Sequence, residues 1–432
     1  MGHPVGCAVL RVEIEAMGLP NDARQPLIAG PGTATHPLGR VTAGAVRLAP
    51  ALGIMAASRL LGFFFVYVGG WFKPAYVPRH VGYRLADPFA DGSLLDRLFQ
   101  PFANWDGTWY IRIASQGYHK VGSWAFFPLY PWLLHGTADA TRGQYVVAGM
   151  MLSVAAALAA AALLYLLVEG DYGRRVALWS VAFLAFFPTS IFFQAVYTES
   201  LFLLASLACV LWARRGRWEL AGLAGMIAAL TRNTGVLLLI PLLMFYGASI
   251  NWRWRRIDRH ALWALLIPAG LATYMAYQWA VRGNPLLFNT SQEVWRRQLA
   301  SPFTSLYHGA NDSLILLHRL FVHGMLQPAG VHNLIAFPLL VLAVTVLVLA
   351  RRRLRPAYLA YAAAAILLPL CYPSVQKPLF SMPRFLLVIF PMFIALALVT
   401  DRRPKLRLTV LALFIGGYLF LTIEFTRLIF IS

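Results

Sequence analysis

Charge is what this sequence has least of. Only 12% of its 432 residues are Asp, Glu, Lys or Arg, about half the roughly 25% of a soluble globular domain. Acids are scarcest, at 17 against 37 basic residues, and only four of the basic residues are lysine. Such a chain is neither a disordered protein nor an ordinary cytosolic enzyme. The three cysteines, Cys7, Cys209 and Cys371, lie far apart, which excludes a disulfide framework and a cysteine metal site. A P-loop, a Rossmann glycine fingerprint, an HExxH pair and a GxSxG elbow are all absent, and with them the nucleotide, zinc-peptidase and serine-hydrolase chemistries those patterns serve. His119, His308, His318, His323 and His332 are scattered without metal-ligand spacing and read as solvated loop residues.

What the chain does have is apolar length. Hydrophobic residues make up 59%, and the mean hydropathy is +0.63. The expected class is an all-α polytopic membrane protein. Eleven apolar spans are expected, at about 46–70, 144–168, 174–194, 198–213, 217–232, 234–250, 261–281, 333–350, 356–373, 382–400 and 407–430. Residues 1–44 form a mixed, Pro- and Gly-containing stretch read as a disordered cytoplasmic tail, with Met17 an alternative start. No apolar h-region follows a basic start, so it does not read as a signal peptide. Residues 45–432 form one integral membrane domain.

The formal charge of +20 is explained by where it falls. The connectors 169–175, 214–217, 251–259, 351–355 and 401–407 hold 17 Lys and Arg in 32 residues. The loop 71–142 holds 7 in 72, and 282–332 holds 4 in 51. Lys and Arg concentrate in cytoplasmic loops, so the Arg-rich turns belong inside, the N-terminus is cytoplasmic, and the long loops 71–143 and 282–332 are extracytoplasmic. The clusters are short separate turns rather than one continuous groove, which speaks against nucleic acid as partner. Segment 125–138 is apolar but only about 14 residues long and broken by prolines; a span needs roughly 20. It is expected to lie on the outer surface as an interfacial helix.

Loops of this length usually carry function, and two on one side suit an enzyme working at the outer face. Nine acids can reach that face: Asp87, Asp91, Asp96, Asp106, Asp139, Glu199, Glu293, Asp312 and Glu424. Asp106 sits in Asn104-Trp105-Asp106-Gly107-Thr108-Trp109-Tyr110. At helical spacing Trp105, Trp109 and Arg112 share one face, and Asp106 and Tyr110 share the next. A carboxylate held among such aromatics is partly desolvated, a setting for general-base catalysis; the competing reading is a helix N-cap. Glu199, in Tyr197-Thr198-Glu199-Ser200, lies at an outward turn. An acid at the membrane edge is costly unless paired or solvated, which makes it a site candidate, again against a cap at a helix start.

Four outward polar residues complete the candidates. Arg232 and Asn233 stand in Leu230-Thr231-Arg232-Asn233-Thr234-Gly235, Lys377 in the loop 374–381, and Arg384 in Ser381-Met382-Pro383-Arg384-Phe385. An arginine here can grip a phosphate bidentately or snorkel to lipid headgroups. Glu424 and Arg427 read as a packing pair.

Trp105-Asp106-Gly107, Ile113-Ala114, Gly117-Tyr118 and Ala125-Phe126-Phe127-Pro128 occur in order. Phe187-Pro188-Thr189-Ser190, Tyr197-Thr198-Glu199-Ser200 and the Thr231–Gly235 turn follow them. With these motifs the chain resembles the PIG-V family, GPI mannosyltransferase II and its bacterial relatives, which are multispanning GT-C glycosyltransferases. Gly283-Asn284-Pro285-Leu286 and Ser381–Phe385 also look like the bacterial branch. The resemblance implies a GT-C architecture whose large first extracytoplasmic loop carries a functional acid and interfacial helices. It implies a polyprenyl-phosphate sugar donor, usually of mannose. Trp105 and Asp106 fall on the family's WD, Tyr197 and Glu199 on its YxE. After the helix this chain has Gly117-Tyr118-His119-Lys120 where relatives often carry a further acid, which speaks against a two-carboxylate metal site in this loop. No cofactor is firmly implied. The acceptor, a glycolipid, lipid-linked glycan or protein, does not carry over, because bacteria build no GPI anchor.

The expected chemistry is an inverting displacement. Asp106 takes the acceptor proton, Arg384, Arg232 or Lys377 neutralises the leaving phosphate, and Glu199 orients sugar hydroxyls or Arg232. Trp109, Tyr110 and Tyr197 stack on sugar faces, and Gln292, Trp295 and Arg296 cover the acceptor. The alternative is a lipid or sugar-lipid transporter, which needs polar residues through the bilayer.

Overall fold

The computed structural model describes residues 37–72, 98–323, 331–375, 377–429 and 431, with backbone alone at 37–45, 320, 323 and 331–333. The chain divides into two units, Met1–Arg47 and Leu48–Ser432, and the helices that build the site belong to the second. Most of the expected tail, residues 1–36, lies outside the described residues. So do Asp87, Asp91 and Asp96 of the first long loop.

The chain opens with α1 (Pro37–Gly69), and the first long loop contributes α2 (Asp106–Gln116) and α3 (Leu129–Ala140). Apolar helices come next: α4 (Tyr145–Tyr172), α5 (Arg174–Ala185), α6 (Glu199–Arg214), α7 (Trp218–Thr231), α8 (Leu239–Ser249) and α9 (Leu266–Arg282). Then come α10 (Pro302–His323), α11 (Val331–Ala350), α12 (Pro356–Leu370), α13 (Met382–Leu387), α14 (Phe390–Thr400) and α15 (Pro404–Thr426). Among the described residues there is no strand, only an isolated bridge between Arg297 and Ser374. The all-α reading therefore holds.

Among the described residues three helices are long and apolar enough to cross a membrane: Val46–Gly69 within α1, α4 and α15. The protein is an integral membrane protein. The other apolar segments are helical but shorter or broken. Expected span 174–194 ends its helix at Ala185 and continues as a single 3-10 turn, Ser190–Phe193. Pro188 forces this, since the residue before a proline leaves the helical region and proline itself cannot donate to the ladder. Expected span 382–400 is split into α13 and α14, with Pro391 in the first turn of the second. The 51-residue second loop is less of a loop than expected: α10 occupies 22 of its residues. The interfacial segment 125–138 is extended at Phe126 and becomes α3 from Leu129.

Packing follows from small residues. α4 packs on α5 and α6, α6 on α7, and α7 on α9. α4 buries Ala156, Ala157, Ala160 and Ala161, and such faces let helix backbones approach closely without a hydrophobic driving force in lipid. The break after α5 is also stabilised from α1. Arg59, 3% exposed, donates to Ser190 O at 2.6 Å and Ala185 O at 3.1 Å. Irregular backbone at this depth persists only where protein groups satisfy its carbonyls.

At the end of the bundle where the Arg-rich turns gather, Asp171 closes a clasp. Its side chain, 2% exposed, pairs with Arg214 from α6 and with Arg355 at 2.7 Å, and Tyr358 of α12 donates to its second oxygen at 2.6 Å. Some of the basic surplus is thus structural as well as topological. Replacing Asp171 with Ala leaves two part-exposed arginines and the Tyr358 hydroxyl without their partner, a loss of about 1–3 kcal/mol. Thermal unfolding in detergent should show a clearly lowered midpoint; an unchanged midpoint would refute the clasp.

Candidate active site

The site is assembled around the start of α2. Trp105 precedes the helix with φ 58° and ψ −115°, a conformation a bulky L-residue rarely adopts. It persists because its neighbours are tied on both sides. Tyr197, fully buried, donates its hydroxyl to Asn104 O at 2.8 Å and accepts from the Asp106 N–H at 3.1 Å. Val196 N–H donates to Phe102 O at 2.9 Å, and the Asn104 amide reaches Phe425 O on α15 at 3.0 Å. The Trp-Asp element and the Tyr-Thr-Glu element, about 90 residues apart, are therefore one structural unit.

Neither acid is a cap. The N-cap positions of α2 and α6 are Trp105 and Thr198, and neither makes a side-chain cap bond. Asp106 and Glu199 are instead the first helical residues, where the helix dipole favours a negative charge. Their carboxylates go to arginines. Arg384 Nη1 lies 2.5 Å from Asp106 Oδ2, and Arg384 Nε lies 3.3 Å from Glu199 Oε1. Arg232 Nη1 lies 2.5 Å from the same Glu199 oxygen. Glu199 is 1% exposed, and its other oxygen has no hydrogen-bond partner among the described residues. Arg384 thus bridges two carboxylates from two helix starts, and Glu199 is shared by two arginines. The arginines face the site rather than snorkelling outward.

These groups stand at a cavity of about 240 Å³. Asp106, Tyr110, Arg232, Asn233 and Arg384 line it, so five of the ten expected site residues meet there. Glu199 and Tyr197 lie behind its wall. Tyr197 is used up as the strap between the two elements, so its burial does not fit the expected sugar stacking. Trp109 stacks on Phe126 with ring centroids 5.7 Å apart and meets Trp295 edge-on at 6.1 Å. It holds α2 against the loops, with Arg112 over its face, and does not line the cavity where the expected sugar stacking would place it. Trp105 and Lys377 are not among the lining residues either. Of the residues expected to cover an acceptor, Gln292 and Trp295 line the cavity and Arg296 does not. Glu424 and Arg427 form the expected pair, at 3.1 Å.

The structure adds residues the sequence reading passed over. Arg297 lines the cavity, as do Ser381 and Phe385. The guanidinium carbons of Arg232, Arg297 and Arg384 lie 5.3, 5.5 and 5.8 Å from the Phe385 ring centroid, so one ring gathers three cations. Burial, and then repulsion from Arg384, push the Arg297 pKa down, with Asp106 opposing. Burial likewise raises the Tyr110 phenol, reinforced by Glu199 and Asp106, so it stays neutral and its hydroxyl faces Thr198 Oγ1 at 3.3 Å. No signal in the sequence separates Arg297 from the adjacent exposed Arg296. Among the described residues no group of three or more His, Cys, Asp or Glu stands close enough to hold a metal ion.

Residues 74–247 match the family model Mannosyltransferase (PIG-V). Over 138 residues the chain is 32% identical to GPI mannosyltransferase 2 of Drosophila pseudoobscura pseudoobscura, covering 30% of each protein. Over 171 residues it is 28% identical to GPI mannosyltransferase 2 of Drosophila melanogaster, covering 36% of this chain and 38% of that protein. The matched stretch spans about a third of the length of these curated relatives. Among solved structures the chain is similar to ArnT from Cupriavidus metallidurans bound to undecaprenyl phosphate, with a TM-score of 0.45 and 16% identity over 81% of this chain and 60% of that one. The chain is PIG-V-like over the stretch that carries Asp106, Tyr197, Glu199 and Arg232.

Two substitutions test the assembly. Tyr197→Phe strands Asn104 O and the Asp106 N–H, a loss of about 1–3 kcal/mol; an unfolding midpoint equal to wild type would show that the strap is idle. At Gly235 a Cβ would run into Ala229 N and stand 2.5 Å from Ala228 C, inside the backbone of α7. Gly235→Ala should therefore lower stability by about 1–3 kcal/mol and displace the turn that carries Arg232. A variant as stable as wild type would contradict the packing.

Proposed function

We propose that the chain is a membrane glycosyltransferase of GT-C type that moves a mannosyl group from a polyprenyl-phosphate sugar to an acceptor hydroxyl at the extracytoplasmic face, with inversion at the anomeric carbon. The observation that carries this reading is Asp106 at the wall of a cavity rich in arginine. The PIG-V-like stretch supports the reaction class and the sugar.

The chemistry needs one base and one anion-stabilising group. The acceptor oxygen attacks the anomeric carbon as its proton passes to Asp106, and the carbon–oxygen bond to phosphate breaks with the electron pair leaving on phosphate. Arg384 keeps one Asp106 oxygen engaged, at 2.5 Å, which holds the carboxylate in place and leaves the second oxygen for the hydroxyl. Positive charge already in position stabilises the developing phosphate without reorganisation. Phosphate is a good leaving group, so positioning and charge neutralisation supply much of the rate. Glu199 acts through the arginines: it has no place on the cavity wall, but it sets Arg232 and Arg384. Phe126, Phe127, Phe288 and Trp295 line the cavity beside them and offer flat faces to a sugar.

The test is transfer of labelled mannose from polyprenyl-phosphate-mannose in membranes containing the protein. Wild type should give a mannosylated product, and Asp106→Asn should lose about 10²–10⁴-fold in rate, the usual contribution of a positioned base. Full activity in Asp106→Asn would sink the base assignment. Absence of any glycosyl product with wild type would sink the transferase.

A further inference from the structure

Within the reading of the cavity as a transferase site, the charge balance of its wall points to something more specific. Three arginines, Arg232, Arg297 and Arg384, meet two carboxylates, Asp106 and Glu199. Arg232 and Arg384 are matched by those carboxylates; the surplus positive charge belongs to Arg297. Among the described residues Arg297 has no carboxylate partner. It donates to Phe380 O at 3.1 Å and, more weakly, to Tyr372 O at 3.5 Å, and its guanidinium lies 4.9 Å from the Phe380 ring centroid. Neither carbonyls nor rings neutralise a charge, and a part-buried cation without a counter-ion is unfavourable.

A second observation lies on the same wall. Ser381 lines the cavity and is 1% exposed, yet its hydroxyl has no hydrogen-bond partner among the described residues. A buried hydroxyl without a partner has lost its water and gained nothing in exchange. Its backbone is also in the left-handed region, φ 64°, which an ordinary residue enters at a cost and which clusters at ligand sites. Ser381 stands three residues before Arg384, and Arg297 and Arg384 share the Phe385 ring. An unmatched cation, an unpartnered hydroxyl and a strained backbone thus converge on one wall.

We propose that Arg297 and Ser381 form a phosphate subsite, in which the Arg297 fork and the Ser381 hydroxyl bind the oxygens of a phosphate ester while Arg384 stays with Asp106 and Glu199. The division of labour follows from the pairing. If Arg384 had to leave Asp106 for the phosphate, the base would lose its anchor; Arg297 has no such engagement. Lys377, the nearest lysine in sequence, is not on the cavity wall and has no part in the subsite. The phosphate can belong to a lipid-borne ester or to the free ion, and the two are separable.

The experiment is binding to the full-length protein in phosphatidylcholine nanodiscs, titrated with undecaprenyl phosphate and, separately, with inorganic phosphate. A charged hydrogen bond contributes about 1.5–3 kcal/mol, so Arg297→Gln should weaken binding by about tenfold or more. Arg297→Lys, which keeps the charge and loses the fork, should fall between that variant and wild type, and Ser381→Ala should lose about threefold or more. Lys120→Gln, at an exposed lysine away from the cavity wall, should remain within about twofold of wild type. Arg297-dependent binding of undecaprenyl phosphate but not of inorganic phosphate assigns the lipid ester; the reverse assigns the free ion; both support the subsite. Binding unchanged in Arg297→Gln and Ser381→Ala overturns it. Arg297 also ties the 292–298 segment to 372–380, so unfolding midpoints are read in parallel; if Arg297→Gln does not fold, Arg297→Lys and Ser381→Ala decide. The readout is binding, not turnover. A protein that binds phosphate through Arg297 and never transfers a sugar would keep this subsite and lose the transferase, and an active enzyme indifferent to Arg297 would do the opposite.

Discussion

Everything at this site turns on a guanidinium held between two carboxylates. Arg384 touches Asp106 at the start of α2 and Glu199 at the start of α6, and it rides on the short helix α13. Three segments from distant parts of the chain are fixed relative to one another by that one cation. Away from water the interaction is strong in both directions. Paired, the three charges are tolerated; without Arg384, Asp106 loses its ion pair, whereas Glu199 keeps Arg232. The bridge therefore determines both the position of Asp106 and its ionic surroundings.

The broken helices make this bridge possible. An unbroken span from 174 to 194 or from 382 to 400 would satisfy its own backbone and pass straight by. Pro188 and Pro391 interrupt those segments, and the released backbone folds into turns that place Tyr197, Glu199, Ser381 and Arg384 at one level of the bundle. The freed carbonyls are repaired locally: Arg59 from α1 covers Ala185 and Ser190. At the opposite end the Asp171 clasp ties three helical segments together. The same residue types, arginine and aspartate, line a cavity at one end and tie helices together at the other.

Much of this was legible in the order of residues. Apolar runs located the helical segments, and loop charge separated acids of two kinds. Trp105-Asp106, Tyr197-Thr198-Glu199, the Thr231–Gly235 turn and Ser381–Phe385 stood out as chemistry-bearing elements and do converge, Asp106, Arg232 and Arg384 on the cavity itself. Other assignments failed for physical reasons. Tyr197 reads as a sugar platform because an exposed aromatic near an acid often is one, but its hydroxyl is committed to the Asn104–Asp106 backbone. Trp109 likewise reads as a sugar platform, but Phe126 and Trp295 pack against it and it does not line the cavity. The second long loop lacks a continuous apolar run, so α10 was invisible to hydropathy.

What the sequence by itself determined is class and inventory: a helical membrane chain, basic residues concentrated in alternate connectors, and a small set of candidate acids and arginines. These follow from composition and spacing, which depend only on local transfer free energies and periodicity. What only the tertiary structure decided is pairing. Arg296 and Arg297 are neighbours in the chain with identical side chains, yet one is exposed and the other completes the cavity wall. Glu199 and Asp106 both begin helices, yet one is sealed behind the wall and the other opens onto it. No local pattern encodes those outcomes, because burial and ion pairing depend on segments 33 to 278 residues away in the chain.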